Sequence, residues 1–407
     1  MNNYNLKNFI MEGGDRSCLL FQKNGFPLLY ANIFINNEVR NNGCTVTTMK
    51  SVAKSLNIFL VFLGNKSINL EDRIIRKEFL SRDEIREIIN HMSLKKNSGN
   101  VIDFSKNDRI VSSGTKYYRT IVAFKYIKWL CEYLLGSNTY IDREAINFLN
   151  MLKAYNPKKR IADDFYTRKP KTLDDNQKTA LFRYVSVKSV DNIYNQNVRK
   201  RNELIILLLY SLGLRKGELL NLRITDIDMT DNIISIKRRH GDQLDSRVNQ
   251  PVVKTLNRDM QVSGWIIDKI YNYIQSDRRD YIGRKRHDFL FINHRRGTIS
   301  GQPMSIDSYE KTIQKIREHD PILNNFTGHA LRHTWNYEFS SALEKIDSKL
   351  LKMNPELIRS YAMGWSPHSD MAKIYNSKYF HENMLVVLSM VQKNIQSKLE
   401  DKMYELQ

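Results

Sequence analysis

The chain has 407 residues, 41% of them hydrophobic, which is enough for two or three domains with packed cores. Lysine and arginine total 64 against 44 aspartates and glutamates, so the formal net charge is +20. An enzyme that acts on small metabolites does not need this excess. It indicates a polyanionic partner, with nucleic acid first and an anionic membrane surface a distant second.

The cysteines and the apolar runs argue against further classes. Cys18, Cys44 and Cys131 are scattered, in no spacing typical of a zinc site or a disulfide framework, and they favour a reducing, cytoplasmic compartment. The opening MNNYNLKNFI lacks a signal-peptide pattern, and the longest apolar run, Leu204 to Leu209, is far too short to span a bilayer. We therefore expect no membrane partner, and the residue pattern indicates no metal and no other cofactor.

The first part of the chain is predicted to be helical. Residues 1–26 have no clear pattern and are interpreted as an N-terminal lead-in. Residues 27–152 are predicted to form a helical domain, in which 45–63 and 112–135 repeat apolar residues at helical spacing. The sequence SRDE, from Ser81 to Glu84, is typical of a capping box that starts a helix.

Basic residues in and after this domain are candidate DNA contacts. Lys116 and Arg119 lie on or near the polar side of the 112–135 helix, where a solvated face is an equally good interpretation. Residues 153–172 are polar and rich in lysine, arginine and proline, so they are predicted to be a domain linker. The charge of this linker suggests that it follows a DNA backbone, although a plain solvated linker has the same composition. The candidate contacts within it are Lys158, Lys159 and Arg160.

Residues 173–407 are predicted to form a second, larger domain. Gly213 is placed to end an apolar helix. β-Branched residues in 233–236 and 248–253 predict a hairpin around a polar turn, and FLFIN, residues 289–293, predicts a short strand. Helices are predicted over about 174–186, 199–212, 261–276, 305–318 and 382–403.

Two stretches of the second domain carry residues suited to phosphate chemistry. In GLRKGELLNL, Arg215 follows a turn at the end of an apolar helix, and Glu218 lies three residues further on. In GHALRHTW, His329 and Arg332 are three apart and share a face if the segment is helical. The planar fork of arginine matches a phosphate, and histidine can bond a phosphate oxygen or transfer a proton.

A tyrosine completes this arrangement. Tyr375 follows Arg332 by 43 residues, and its hydroxyl can attack phosphorus if the reacting phosphate is held and the proton is removed. Each motif alone is common by accident. An arginine motif, a basic hairpin, HxxR and a tyrosine in this order rarely occur together by chance, and such a set would cut and rejoin DNA without a metal.

With these motifs the sequence resembles the tyrosine recombinases, also called phage-integrase-type site-specific recombinases. The resemblance is good over about 173–385 and looser over about 27–150. It implies a mainly α fold with a small antiparallel β-sheet, in which a helical core-binding domain precedes an α+β catalytic domain. The residues it implies for catalysis are Arg215 and Arg332 as phosphate clamps, Glu218 as their acidic support, His329 for proton transfer or phosphate binding, and Tyr375 as the nucleophile.

Two catalytic positions stay open. Many family members have His directly after Gly in the last motif, where this chain has Trp365, and Trp365 is favoured over His368. Lys237 is interpreted as the general acid of the hairpin. Arg239 fits the spacing about as well, but an arginine stays protonated and is a poor acid. Among the remaining candidates, His333 is interpreted as a packing or supporting residue, Tyr379 as a fallback nucleophile, and Arg238 as a DNA contact together with Arg239.

The resemblance also implies the reaction and the partners. A 3′-phosphotyrosyl bond preserves the phosphodiester energy, so a second 5′-hydroxyl can reverse the step without ATP. The expected partners are double-stranded DNA, a homotetramer joined through the 382–403 helix, and accessory DNA-bending proteins; that helix would otherwise pack on its own domain. The expected outcome is integration, excision or transposition of a mobile element. Competing functions are a type IB topoisomerase, a non-catalytic DNA-binding protein on the same fold, and an RNA-binding protein, for which no signature is present.

Overall fold

The chain divides into two compact units, Met1–Arg168 and Lys169–Gln407. Each unit has its own hydrophobic core. The architecture is mainly helical with two small antiparallel sheets, which is the predicted fold class. The computed structural model describes residues 4–95, 110–140, 142–157, 172–239, 241–295, 297–345, 355–365 and 377–404.

The first unit combines a β-hairpin with six helices among the described residues. Its elements are β1 (Asn5–Ile10), β2 (Arg16–Phe21), α1 (Leu29–Phe34, continued by a π-helical turn), α2 (Val46–Asn65), α3 (Leu70–Ile75), α4 (Arg82–Met92), α5 (Ser113–Leu135) and α6 (Arg143–Ala154).

The prediction of a patternless lead-in over 1–26 is wrong, because β1 and β2 pair there as an antiparallel hairpin. Cys18 and Leu20 of β2 are fully buried in the core of the unit. The side-chain amide of Asn32 in α1 accepts from the backbone N–H of Leu20 at 2.8 Å and donates to its carbonyl at 2.9 Å. These bonds satisfy the outer edge of β2, so the hairpin is fixed to the helical domain.

Helices α2 and α5 form the centre of this core. The predicted capping box at the start of α4 is confirmed, since Ser81 and Glu84 exchange side-chain to backbone hydrogen bonds. By length and composition, α2 is the one helix of the described chain that could cross a membrane. Half of its most apolar window is buried, as in a core helix, so this finding is weak evidence for a span.

The second unit surrounds a long buried helix. Its elements are α7 (Asp175–Val185), α8 (Arg199–Leu212), α9 (Lys216–Leu220), β3 (Ile227–Asp228), β4 (Ile233–Ile236), β5 (Arg258–Gln261), α10 (Gly264–Tyr273), α11 (Arg279–Ile282), α12 (Ile306–His319), α13 (Gly328–Lys345), α14 (Pro355–Met363) and α15 (Ser377–Tyr404).

The hairpin was predicted correctly only in its first strand. β4 pairs with β5 at Arg258–Gln261, not with residues 248–253. The latter segment is irregular: Pro251 lacks an N–H for a ladder, and Val253 is buried in the core without sheet pairing. Residues 289–293 likewise form isolated bridges and no regular strand.

Helix α8 positions the catalytic motifs. Every residue from Arg201 to Leu212 is buried, and Gly213 ends the helix in the left-handed conformation at φ 59°, as predicted. A Cβ at Gly213 would lie 2.9 Å from the Trp335 ring of α13, so only glycine fits this close approach. The chain therefore leaves α8 at a fixed point, directly before Arg215.

Candidate active site

Glu218 lies at the centre of a buried polar cluster. Its carboxylate accepts from the backbone N–H of Arg215 at 3.0 Å, from the Thr255 hydroxyl at 2.6 Å and from Arg258 Nη2 at 2.9 Å. Arg332 Nη1 lies 3.9 Å from the same carboxylate. We call these five residues the Glu218 cluster. One buried carboxylate thus faces three guanidinium groups.

The environment keeps Glu218 ionised. Burial by itself raises the pKa of this carboxyl group. The charge and hydrogen bonds of Arg258, with the bonds from Thr255 and the Arg215 backbone, outweigh burial and hold the pKa below its ordinary value. At neutral pH a negative charge is therefore available to hold the arginines that surround it.

The backbone of Arg215 is fixed by Glu218, whereas its side chain is partly exposed. Its Nη1 lies 3.6 Å from Glu218 Oε1, and the side chain is 33% exposed. Nη1 is buried without a hydrogen-bond partner within the described part of the chain. Its guanidinium is thus oriented by charge, with donors left for an anion.

Arg332 is held more tightly. It lies in the first turns of α13, is 3% exposed, and donates to the carbonyls of Gly213 at 2.7 Å and Met363 at 3.1 Å. Burial lowers the pKa of Arg332 to about 9; the charge of Glu218 opposes this shift, and two neighbouring arginines add to it. The side chain stays cationic at neutral pH and joins the ends of α8 and α14.

His329 has different surroundings from Arg332. It is exposed at the start of α13, and its ring meets that of His333 edge-on at 4.7 Å. Both rings line an open cleft of about 940 Å³ that also includes Tyr337 and Lys178. Gly328 begins the helix where a Cβ would collide with the Tyr309 hydroxyl, so the glycine allows α13 to start this close to α12.

The last motif is described only in part. Trp365 lies just after Gly364 at the end of α14, is 38% exposed, and lines a cavity of about 160 Å³ with Arg258 and Tyr361. Its backbone N–H donates to the carbonyl of Ser360 at 2.9 Å. The predicted nucleophile, Tyr375, and the rival His368 lie outside the described residues.

The basic residues after β4 have local partners. Lys237 Nζ and Arg239 Nη2 lie 3.4 and 2.5 Å from the buried carboxylate of Asp226. Arg238 is exposed, and its backbone N–H donates to the Asn257 side chain at 2.7 Å. None of these contacts joins the Glu218 cluster.

Arg258, Thr255 and Lys254 were missed by sequence reasoning. The exposed Lys254 directly precedes Thr255, whose hydroxyl binds Glu218. The carbonyl of Val252 occupies the space that a Cβ at Gly217 would need. The chain from Val252 to Thr255 therefore runs along the start of α9. The only sequence signal was a basic and β-branched segment after the hairpin turn, which was interpreted as a strand.

The structure describes only two of the candidate DNA contacts of the first unit, Lys116 and Arg119. Arg119 donates to the Leu94 carbonyl at 2.8 Å and lies 3.3 Å from that of Met92, so it caps the end of α4. Lys116 is half-buried. The linker candidates Lys158, Lys159 and Arg160 lie outside the described residues.

No cluster of histidine, cysteine and acidic side chains able to hold a metal ion occurs in the described ranges.

Three arginines thus surround one buried carboxylate, and the Arg215 guanidinium, which is partly exposed, is suited to binding an anion such as phosphate. Residues 173–381 match the sequence model of the phage integrase family. The match covers about half of the chain, which therefore belongs to this family. It is a site-specific recombinase, an enzyme that cleaves and rejoins DNA.

Curated relatives agree with this assignment. The chain is 27% identical over 299 residues to transposase A from transposon Tn554 of Staphylococcus aureus, covering 72% of this chain and 75% of the relative. It is 26% identical over 240 residues to the tyrosine recombinase XerS of Streptococcus mutans, covering 56% and 61%. The solved structure of the Tn1549 transposon integrase in complex with transposon right end DNA aligns at a TM-score of 0.45 and 15% identity, over 85% of this chain and 97% of that chain.

Proposed function

We propose that this recombinase cleaves each strand through a covalent bond between Tyr375 and the 3′-phosphate of DNA. The observation that carries the proposal is the Glu218 cluster, where one ionised carboxylate orients three arginines and leaves Arg215 partly exposed. Three positive charges at one point are suited to the extra negative charge of a pentacoordinate phosphorus transition state.

The residue roles follow from the chemistry. A tyrosine hydroxyl has a pKa of about 10, so Tyr375 is a weak nucleophile until its proton is removed. Arg215 would hold a non-bridging phosphate oxygen, while the buried Arg332 supplies charge and fixes the surrounding backbone. His329, exposed at the start of α13, would assist proton transfer. The Tyr375 oxygen bonds to phosphorus, the bond to the 5′-oxygen breaks, and that oxygen takes up a proton.

The acid that supplies this last proton has two candidates. Lys237 was predicted from the sequence, and its ammonium group lies 3.4 Å from Asp226. Lys254 is favoured by one observation: it is exposed and adjoins Thr255, which bonds to Glu218 at 2.6 Å. We therefore propose Lys254 as the acid and retain Lys237 as the second candidate.

We further propose that the reaction serves the transposition, integration or excision of a mobile element. The similarity to a transposase of transposon Tn554 over most of both chains supports this role. In this proposal four copies act on paired DNA sites, with accessory DNA-bending proteins. The three free cysteines, two of them buried, fit a reducing cytoplasm.

A suicide substrate tests the proposal. A nick near the cleavage site lets the short fragment that carries the free 5′-hydroxyl diffuse away. The reverse reaction then cannot occur, and the covalent complex is trapped. Wild type should form this adduct, Tyr375→Phe should not, and Tyr379→Phe, on the same segment, should react as wild type. An adduct that persists in Tyr375→Phe would show that the nucleophile is wrong. Joining strands from two different duplexes would separate a recombinase from a topoisomerase that relaxes one duplex.

A further inference from the structure

Arg258 connects two parts of the catalytic unit that are far apart in sequence. It is the first residue of β5 and is only 8% exposed. Its Nη2 donates to Glu218 at 2.9 Å, and its Nε donates to the carbonyl of Ala362, in the last turn of α14, at 2.7 Å. One planar guanidinium thus holds the central carboxylate on one side and the end of a helix on the other.

The turn that follows α14 is packed against the same strand. Gly364 has a positive φ of 63°, and its carbonyl accepts from the Leu256 N–H at 2.9 Å. A Cβ at Gly364 would lie 2.7 Å from Arg258 Nη1 and 2.9 Å from the Cβ of Thr255. Glycine is required both by the conformation and by the space. The turn therefore lies directly on the guanidinium.

We infer that Arg258 is a positioning residue for strand cleavage. It fixes the turn that carries Trp365, and that precedes Tyr375 in the chain, relative to Arg215, which holds the phosphate. This inference rests on the proposed cleavage function. Attack on phosphorus requires the reacting oxygen and the phosphate to be held in line, and a displacement of about 1 Å can reduce the rate about 100-fold.

The test is Arg258→Lys in the full-length protein. Lysine retains a positive charge for Glu218 but cannot bond to Glu218 and to the Ala362 carbonyl with one planar group. We expect an unchanged Kd for target DNA and single-turnover adduct formation at saturating protein that is about 10- to 100-fold slower. The matched control is Arg278→Lys, because Arg278 is also buried and donates through Nε to a backbone carbonyl, that of Phe289 at 2.9 Å.

A second substrate separates positioning from proton transfer. Replacing the 5′-oxygen leaving group by sulfur removes the need for an acid. The rate defect of Arg258→Lys should persist on this substrate, and recovery would overturn the positioning role. Gly364→Ala places a methyl group against Arg258. It should be slowed on both substrates in the same way, and it replaces Arg258→Lys as the test if that variant does not fold.

The outcomes distinguish the two proposals. If wild type forms no adduct, the proposed cleavage function fails. If wild type forms the adduct and Arg258→Lys or Gly364→Ala reacts at the same rate, the inference about Arg258 is wrong. An equal loss in Arg278→Lys would also overturn it, because the effect would then belong to any buried arginine of this unit.

Discussion

At the residue scale, Glu218 determines where three positive charges lie. Because its folded-state pKa lies below the ordinary value of 4.5, its contribution to stability is fully present above about pH 4.5 and is lost as the pH falls through the folded pKa. At neutral pH, Glu218→Gln should lower the free energy of unfolding by about 3–5 kcal/mol, because buried arginines lose their counter-charge.

Urea unfolding of wild type and Glu218→Gln between pH 7 and pH 3 measures this effect. The difference between the two proteins should be constant near neutrality and shrink below about pH 4.5 as wild type loses its carboxylate charge. A difference that stays constant across the whole range would contradict the ionised state of Glu218.

The two candidate acids can also be separated at this scale. With an ordinary DNA substrate, Lys254→Ala should slow single-turnover cleavage by about 10²–10⁴-fold, the usual contribution of a general acid. With a 5′-sulfur leaving group the same variant should approach the wild-type rate. Lys237→Ala should react nearly as wild type on both substrates, since Lys237 faces Asp226. The reverse pattern would assign the acid to Lys237, and equal loss on both substrates would exclude the variant residue as the acid.

The sequence predicted the motif residues of the Glu218 cluster but not its other members. Arg215, Glu218 and Arg332 stand in patterns with fixed spacing. Arg258 stands in a four-residue strand with no motif, and its partners lie 40 and 104 residues away. Pairwise contacts at such separations depend on how the chain folds, so no local pattern could have indicated them.

At the element scale, the helices were more predictable than the strands, of which only β4 was predicted correctly. Helices α7 and α8 agree with prediction to within one residue at each end, because an apolar repeat and a cap mark their limits. Short strands have no such marks. Val253 is β-branched and apolar, which indicated a strand. Its side chain instead packs in the core outside any sheet. The strand that pairs with β4 lies further along the chain, at Arg258–Gln261.

Helix α15 differs from the expected role of the 382–403 segment. Its apolar side, predicted to dock on a neighbouring subunit, packs into the core of its own unit. Lys398 on the same helix lies 2.6 Å from the buried carboxylate of Glu338, which also pairs with Lys178 of α7. The buried apolar residues in the described part of the helix are Met384, Val387, Leu388, Val391, Ile395 and Leu399. This side is therefore not offered to another copy in the described structure.

Packing within one copy predicts a difference between two neighbouring positions of α15. Leu388 is fully buried, whereas Met390 is 43% exposed. Leu388→Ala should lower the free energy of unfolding by about 2–5 kcal/mol, and Met390→Ala should change it by less than about 0.5 kcal/mol. Urea unfolding at protein concentrations too low for association measures both variants. Equal, small effects would show that the helix is not packed on its own unit.

At the scale of the whole molecule, the charge of +20 is not explained by the active site alone. Many surface cations have carboxylate partners, such as Lys66 with Glu87 at 2.8 Å and Lys216 with Glu310 at 2.6 Å. Screened surface pairs of this kind contribute little to stability. The excess charge instead favours association with a polyanion, and phosphate contacts of this origin do not depend on DNA sequence.

The linker cations Lys158, Lys159 and Arg160 offer a test of this interpretation. Each phosphate contact releases counterions, so the logarithm of the DNA-binding constant falls by about 0.9 per contact for each unit of log salt concentration. Replacing all three by Gln should reduce this slope by up to about 2.7 and weaken specific and non-specific DNA equally. The matched control replaces Lys66, Lys77 and Lys216, which are exposed and already paired with carboxylates, and should leave the slope nearly unchanged. Titrations at several salt concentrations measure both, and an equal slope for wild type and the linker variant would place the DNA contacts elsewhere.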